Sequence, residues 1–192
     1  MKPFSIIIRT ALLFLLLGAG VVSAQFFEQK DIFDDYSKLD YDKIFEAGLS
    51  RNGQRLNLSG KKIGDKGVAL LLSHEVLKKV TALDLRYNEI SEKGARLLAE
   101  SRNLTQLKKL ELKHNYLLDA GAVLLAGSKG FPKLQKLSVG WNEIRDEGAL
   151  AFARSQNFPK LKVLDIRGNF LANKTKETLR KNLAHLKSLK LF

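Results

Sequence analysis

Leucine stands at positions 56, 83, 110, 137 and 164, and this constant interval of 27 residues decides what the chain can fold into. A second apolar residue follows two places later, at Leu58, Leu85, Leu112, Val139 and Ile166. Asparagine comes next at Asn88, Asn115, Asn142 and Asn169, and then Ile90, Leu117, Ile144 and Leu171. Gly67, Gly94, Gly121 and Gly148 keep the same step, and a shortened sixth copy begins at Leu186. Five copies without drift mark a stack of identical units, because a unit this short cannot bury its own apolar face and must cover it with the next.

Residues 83–99, LDLRYNEISEKGARLLA, show what one unit contains. Leu-x-Leu has period two, which turns both leucines to one face of a short strand. The asparagine both donates and accepts, so it can satisfy backbone that is buried where the chain leaves the strand; stacked copies predict a ladder. Asp65, Glu92, Asp119 and Asp146 stand two residues before the glycine and suit the first turn or cap of a helix. Ala95, Leu98 and Ala99 continue at helical spacing, and Pro132 and Pro159 punctuate the return to the next strand. Each unit is therefore one strand followed by one helix.

The pattern LxxLxLxxNxI, followed by an acidic residue and Gly-Ala, resembles the leucine-rich repeat of the ribonuclease-inhibitor type over residues 53–192. The resemblance implies an α/β fold: a right-handed leucine-rich-repeat solenoid, a horseshoe arc. Parallel strands would line its concave face and helices its convex face, with about five full repeats and a short sixth. It also implies a protein-binding role, commonly on the concave face. Two copies depart from the pattern, with Lys61 in place of the ladder asparagine in the first and Thr175 in place of the glycine in the fifth. The ribonuclease inhibitor is cysteine-rich and acidic and grips a basic enzyme; this chain has no cysteine and a net charge of +13, which argues against that partner.

Residues 1–24 read as a signal peptide. Lys2 precedes an apolar run over 6–17, with Arg9 inside it, and Val22-Ser23-Ala24 offers a small-residue cleavage site. Removal would leave no transmembrane segment and an exported protein, periplasmic or secreted; the alternative is an uncleaved N-terminal anchor. Zero cysteines exclude disulfides, thiol catalysis, thiolate metal sites and lipid attachment through cysteine. Residues 25–52 are richer in acids, with Phe33, Tyr36, Leu39, Ile44 and Phe45 at helical spacing, and are expected to form a helical cap on the first repeat. At the other end Phe192 follows a strand directly, with Lys187 and Lys190 as guards of an open sheet edge, and a monomer is expected.

Strand alternation identifies the residues that face the concavity. Asp84, Glu111 and Asp165 share one outward column, and Arg86, Lys113 and Arg167 the next. Tyr87, His114 and Trp141 follow as a contiguous aromatic stripe between Gly60 and Gly168. Rings with a flat face and a polar tip are favoured at binding hot spots. Asp84 with Arg86, and Glu111 with Lys113, are expected to pair. Asp84 and Glu111 could approach the separation of a retaining glycosidase, but neighbouring cations would hold both ionised. No metal-ligand spacing appears in the sequence, and neither cofactor nor catalysis is expected. The sequence thus points to a non-enzymatic module with a protein partner, acidic to match the basic surface. The alternative is charge-driven binding of anionic envelope polysaccharide or lipid headgroups; nucleic acid ranks lower, because export removes the opportunity.

Overall fold

The computed structural model describes residues 39–192. The signal peptide, and Phe33 and Tyr36 of the expected cap, lie outside the described residues. Six three-residue strands form one parallel sheet in chain order: β1 Arg55–Asn57, β2 Ala82–Asp84, β3 Lys109–Glu111, β4 Lys136–Ser138, β5 Val163–Asp165 and β6 Ser188–Lys190. Every strand pairs with the next at a shift of 27 residues until the shortened last copy, where Val163 meets Ser188. The helices are α1 Tyr41–Gly48, α2 Gly64–Ser73, α3 Glu92–Glu100, α4 Leu118–Gly127, α5 Asp146–Arg154 and α6 Asn173–Asn182. From β1 onward strand and helix alternate, which is the α/β solenoid arc read from the repeat.

The core lies between the sheet and the helices. Leu56, Leu83, Leu110, Leu137 and Leu164 are buried in file, as are Leu58, Leu85, Leu112, Val139 and Ile166. From the helix side Val68, Ala95, Ala122 and Ala149 meet them. Burial at roughly 25 cal/mol per Å² is the main force holding the stack together. Before β1, α1 buries Tyr41 and Phe45, and Leu49 then bridges antiparallel to Leu56. After β6, Phe192 is exposed, with Lys176 and Arg180 over its ring at 4.7 and 5.3 Å.

Two polar seams join successive copies, and they run in opposite directions. In the first, each ladder asparagine serves the copy before it. Asn115 Oδ1 accepts from the N–H groups of Asn88 and Ile90, both at 3.0 Å, and its Nδ2 donates to Leu85 O at 3.0 Å. Asn169 repeats the arrangement, and Asn142 accepts from Leu117 N at 3.4 Å and donates to Leu112 O at 2.9 Å. The first copy has no earlier repeat to serve, which is why Lys61 can stand there.

In the second seam the acidic residue lies in the first turn of a helix, as expected, and Asp65, Asp119 and Asp146 also reach across to the next copy. Asp65 lies in the first turn of α2, yet its Oδ1 accepts from Ser91 N at 2.9 Å and Gly94 N at 3.0 Å, at the start of α3. Asp119 does the same for Arg145 and Gly148 of the next copy, both at 2.8 Å. The geometry also explains the glycines: a Cβ on Gly94 would sit 2.4 Å from Asp65 Oδ1, and one on Gly148 2.6 Å from Asp119 Oδ1. In the fifth copy Asp146 accepts from Ala172 N at 2.9 Å instead, and its carboxyl is held low by bonds from the Thr175 hydroxyl and that backbone N–H. The replacement of glycine by threonine is thereby absorbed.

Candidate partner-binding site

The aromatic stripe stands on the loops that leave β2, β3 and β4, and the backbone beneath it is unusual. Gly60, Tyr87, His114, Trp141 and Gly168 occupy the same place in five successive copies, and all have positive φ: 70°, 56°, 55°, 53° and 67°. Glycine adopts this left-handed conformation freely, whereas a residue with a Cβ gives up about 1–2 kcal/mol. The two end copies carry the residue that the backbone favours. The three central ones carry rings and bear the strain, a pattern that concentrates at functional sites.

The rings stack. Tyr87 and His114 lie 4.2 Å apart between centroids and 9° from parallel; His114 and Trp141 lie 4.8 Å apart and 11° from parallel. These separations match the roughly 4.8 Å spacing of neighbouring strands. The pKa of His114 is lowered from 6.5 by partial burial, then by the positive charges of Lys113 and Arg86. Lys113 and Arg167 also approach the Trp141 ring, at 5.8 and 5.6 Å from its centroid. Tyr87 and Trp141 remain 51% and 40% exposed, so the row presents its ring edges to solvent.

Beside the row runs a groove of about 480 Å³ whose other bank holds Lys62, Glu89, Tyr116, Glu143 and Phe170. Tyr116 and Phe170 are 55% and 63% exposed, and strand alternation did not find them. They fall between the asparagine and the apolar residue of Asn-x-Ile, where the chain has left the strand and period two no longer assigns a face. The same 27-residue spacing that aligns Lys62, Glu89, Tyr116, Glu143 and Phe170 would have shown them as a column. Arg145 places its guanidinium 5.7 Å from the Phe170 ring.

On the sheet itself the charged columns are spent on one another. Arg86 grips Asp84 with Nε at 2.9 and 3.0 Å and Nη2 at 2.7 Å, as expected. The expected pair of Glu111 with Lys113 does not form. Glu111 is bound by Lys109 at 3.1 Å and Lys136 at 3.0 Å. Lys113 reaches over β4, where Ser138 and Gly140 are small, to Asp165 at 2.8 Å, which Arg167 also holds at 2.8 Å. Glu111 and Asp165 are not exposed acids either, at 6% and 1% of full exposure.

Burial alone would push the Asp165 carboxyl up; hydrogen bonds from Arg167 and Lys113 outweigh it and bring the pKa down to about 2. Burial likewise opposes ionisation of Glu111, and the Ser138 hydroxyl with the Lys136 and Lys109 ammonium groups overcomes it, so its pKa is lowered. A carboxyl held below its ordinary range is a poor proton donor at neutral pH, so Glu111 is unsuited to be the acid of a glycosidase pair. His74 caps the 3-10 turn Glu75–Lys79, accepting from Val76 N at 3.1 Å, and packs edge-on against Phe45. Among the described residues no group of three His, Cys, Asp or Glu could hold a metal ion, and no helix is long and apolar enough to cross a membrane.

A family model described as leucine-rich repeat matches residues 76–99 and 132–153. No curated protein matches the chain. Among solved structures the chain is similar to one described as leiomodin-1 actin-binding site 2, with a TM-score of 0.47 and 17% identity. That match covers 84% of this chain and 79% of the other.

Proposed function

We propose that this leucine-rich-repeat solenoid is an exported, non-enzymatic module that holds a protein partner at the concave sheet and the rim where the strands end. Leucine-rich repeats are a protein-binding scaffold, which supports the class of function; the surface and the export are the finer reading. One observation carries the surface: three stacked rings in file, the outer two exposed and His114 half-buried between them, on left-handed backbone that glycine would occupy at lower cost. Export rests on the apolar run over 6–17 and on Val22-Ser23-Ala24. Asp84, Glu111 and Asp165 act in this reading by fixing Arg86, Lys113, Arg167 and the strand faces, since their charges are already met. The rings supply the contact area.

The experiment is capture of partner from the extracellular or periplasmic fraction by the chain, compared with its Tyr87, His114 and Trp141 triple alanine variant. The variant should melt with the parent and lose at least thirtyfold in affinity, because single hot-spot aromatics carry about 2 kcal/mol or more. A variant with Lys66, Lys93 and Lys174 replaced by glutamine serves as control; Lys62 is excluded because it lines the groove. If the lysine variant loses binding and the ring variant keeps it, with a steep linear dependence on log salt, charge and not the rim is the binding element.

A further inference from the structure

The row of rings has two unlike ends. Beyond Trp141 the next copy supplies Gly168, and the indole is seated on it: a Cβ there would fall 2.3 Å from Trp141 Nε1. Before Tyr87 the preceding copy supplies Gly60, with the same left-handed backbone, held by its N–H to Arg86 O at 2.8 Å. Around the Cβ position of Gly60 there is nothing within 4 Å. The Trp141 ring leans toward the C-terminal end of the stack. One face of Tyr87 meets His114 at 4.2 Å, while the other turns toward a loop that carries no side chain in the row.

The spacing of the stack fixes what that opening can hold. Strand-to-strand distance is roughly 4.8 Å, and the rings already sit 4.2 and 4.8 Å apart. One further step from Tyr87 places a flat ring in the space that a side chain at position 60 would enter. At the mouth, Lys62 and Glu89 pair with each other at 3.4 Å, and Arg86 is committed to Asp84. Lys62 and Arg86 are thus engaged, so a ring that brings a phosphate with it would have neither of them to pair with. An uncharged ring with one polar atom can stack on Tyr87 and turn its polar tip to the ion pair.

We propose that the space over Gly60 is a ring-binding berth that takes a tryptophan or tyrosine side chain of the protein partner as the fourth ring of the row. The proposal rests on the reading of the rim as a protein-binding site and names the group that the partner inserts. The absence of a side chain at position 60 is then a feature of the site, because a ring carried by the chain itself would fill the berth.

The test uses N-acetyl-tryptophanamide as probe, titrated into the full chain while the Gly60 amide and the Tyr87 ring are followed by NMR. Expected are saturable upfield shifts at both, as a stacked ring imposes. Gly60→Tyr, on backbone that already accepts tyrosine one copy later, should abolish the saturable binding; Tyr87→Ala should weaken it about tenfold. Phe170→Ala, on the opposite bank, should leave it unchanged. Probe shifts centred on Trp141 or Phe170, or saturable binding that survives in a folded Gly60→Tyr variant, would overturn the proposal. Should Gly60→Tyr not fold, full-strength binding to Tyr87→Ala would overturn it equally. Partner capture separates the two readings. If capture requires the three rings but is indifferent to Gly60→Tyr, the berth is wrong and the rim stands. If the probe occupies the berth but capture ignores the ring triple, the rim reading fails on its own.

Discussion

Each strand-exit loop carries two neighbouring residues that meet opposite fates. Asn88, Asn115 and Asn142 turn inward and are almost wholly buried, while Tyr87, His114 and Trp141, one position earlier, turn outward on strained backbone. Both columns repeat every 27 residues, so periodicity alone does not tell them apart. What separates them is what the stack would lose. Without the asparagines, backbone groups inside the solenoid have no partner. Without the rings, the left-handed backbone would stay as it is at Gly60 and Gly168, and the fold would lose only their stacking. A column that the fold needs and a column that costs the fold stability stand side by side, and the second is the one to search for function.

The largest test of this contrast is Asn115→Ala. It strands the N–H groups of Asn88 and Ile90 and the carbonyl of Leu85, while Leu112 O keeps its bond from Asn142 Nδ2 at 2.9 Å. At about 1–3 kcal/mol for each buried orphan, the loss should reach about 4 kcal/mol in denaturant unfolding. A loss under about 1 kcal/mol would mean that water replaces the amide and that the ladder does not hold the loops.

Next in size is Asp165. Its folded pKa of about 2 lies below the ordinary 3.8, so its contribution is present above pH 4 and disappears as pH falls from about 4 to 2. The difference is on the order of 2 kcal/mol, and it should be missing from the acid unfolding profile of Asp165→Asn. An unchanged acid limb in that variant would show that Lys113 and Arg167 do not hold the carboxyl as the geometry indicates.

Backbone strain gives the third test. His114→Gly should be more stable than His114→Ala by about 1 kcal/mol, the reverse of the order at an ordinary position. Equal melting points would remove the strain and, with it, the argument that the ring column is held against the preference of the fold.

The smallest effect is a titration. The His114 imidazole should titrate below 6.5 by NMR, because partial burial and the cations Lys113 and Arg86 disfavour its charged form. Lys113→Gln should raise the midpoint. If it does not move, the Lys113 ammonium engages Asp165 too fully to act on the ring.

Much of the fold was legible because the repeat writes each element five times. Leu56 and Leu58 with their copies located the inner face of the strands, and the asparagine ladder followed from a donor and acceptor required at a buried exit. The first-turn place of the acidic residues was legible but their cross-copy bonds were not, because sequence shows which helix carries Asp65 and not which helix its oxygen reaches. The Glu111 pairing was misread because Lys113 has a long flexible stem, and the small residues Ser138 and Gly140 let it cross a whole strand. Tyr87, His114 and Trp141 were legible as a stripe, but their strain was not. Gly60 and Gly168 at its two ends were the available signal, since glycine at both ends of a column hints at the backbone that lies between.

The opposed seams have a consequence for how such a chain can lengthen. The third copy offers the Asp119 carboxylate to its successor and the Asn115 amide to its predecessor, so it carries both halves of a connector. A duplicated copy inserted between two central ones meets on each side the partners it would have met at home. Copy number can then change without redesign of any junction, and each added copy with a ring at the left-handed position extends the aromatic row by one step of roughly 4.8 Å. The length of the aromatic row is in this sense written in the number of repeats.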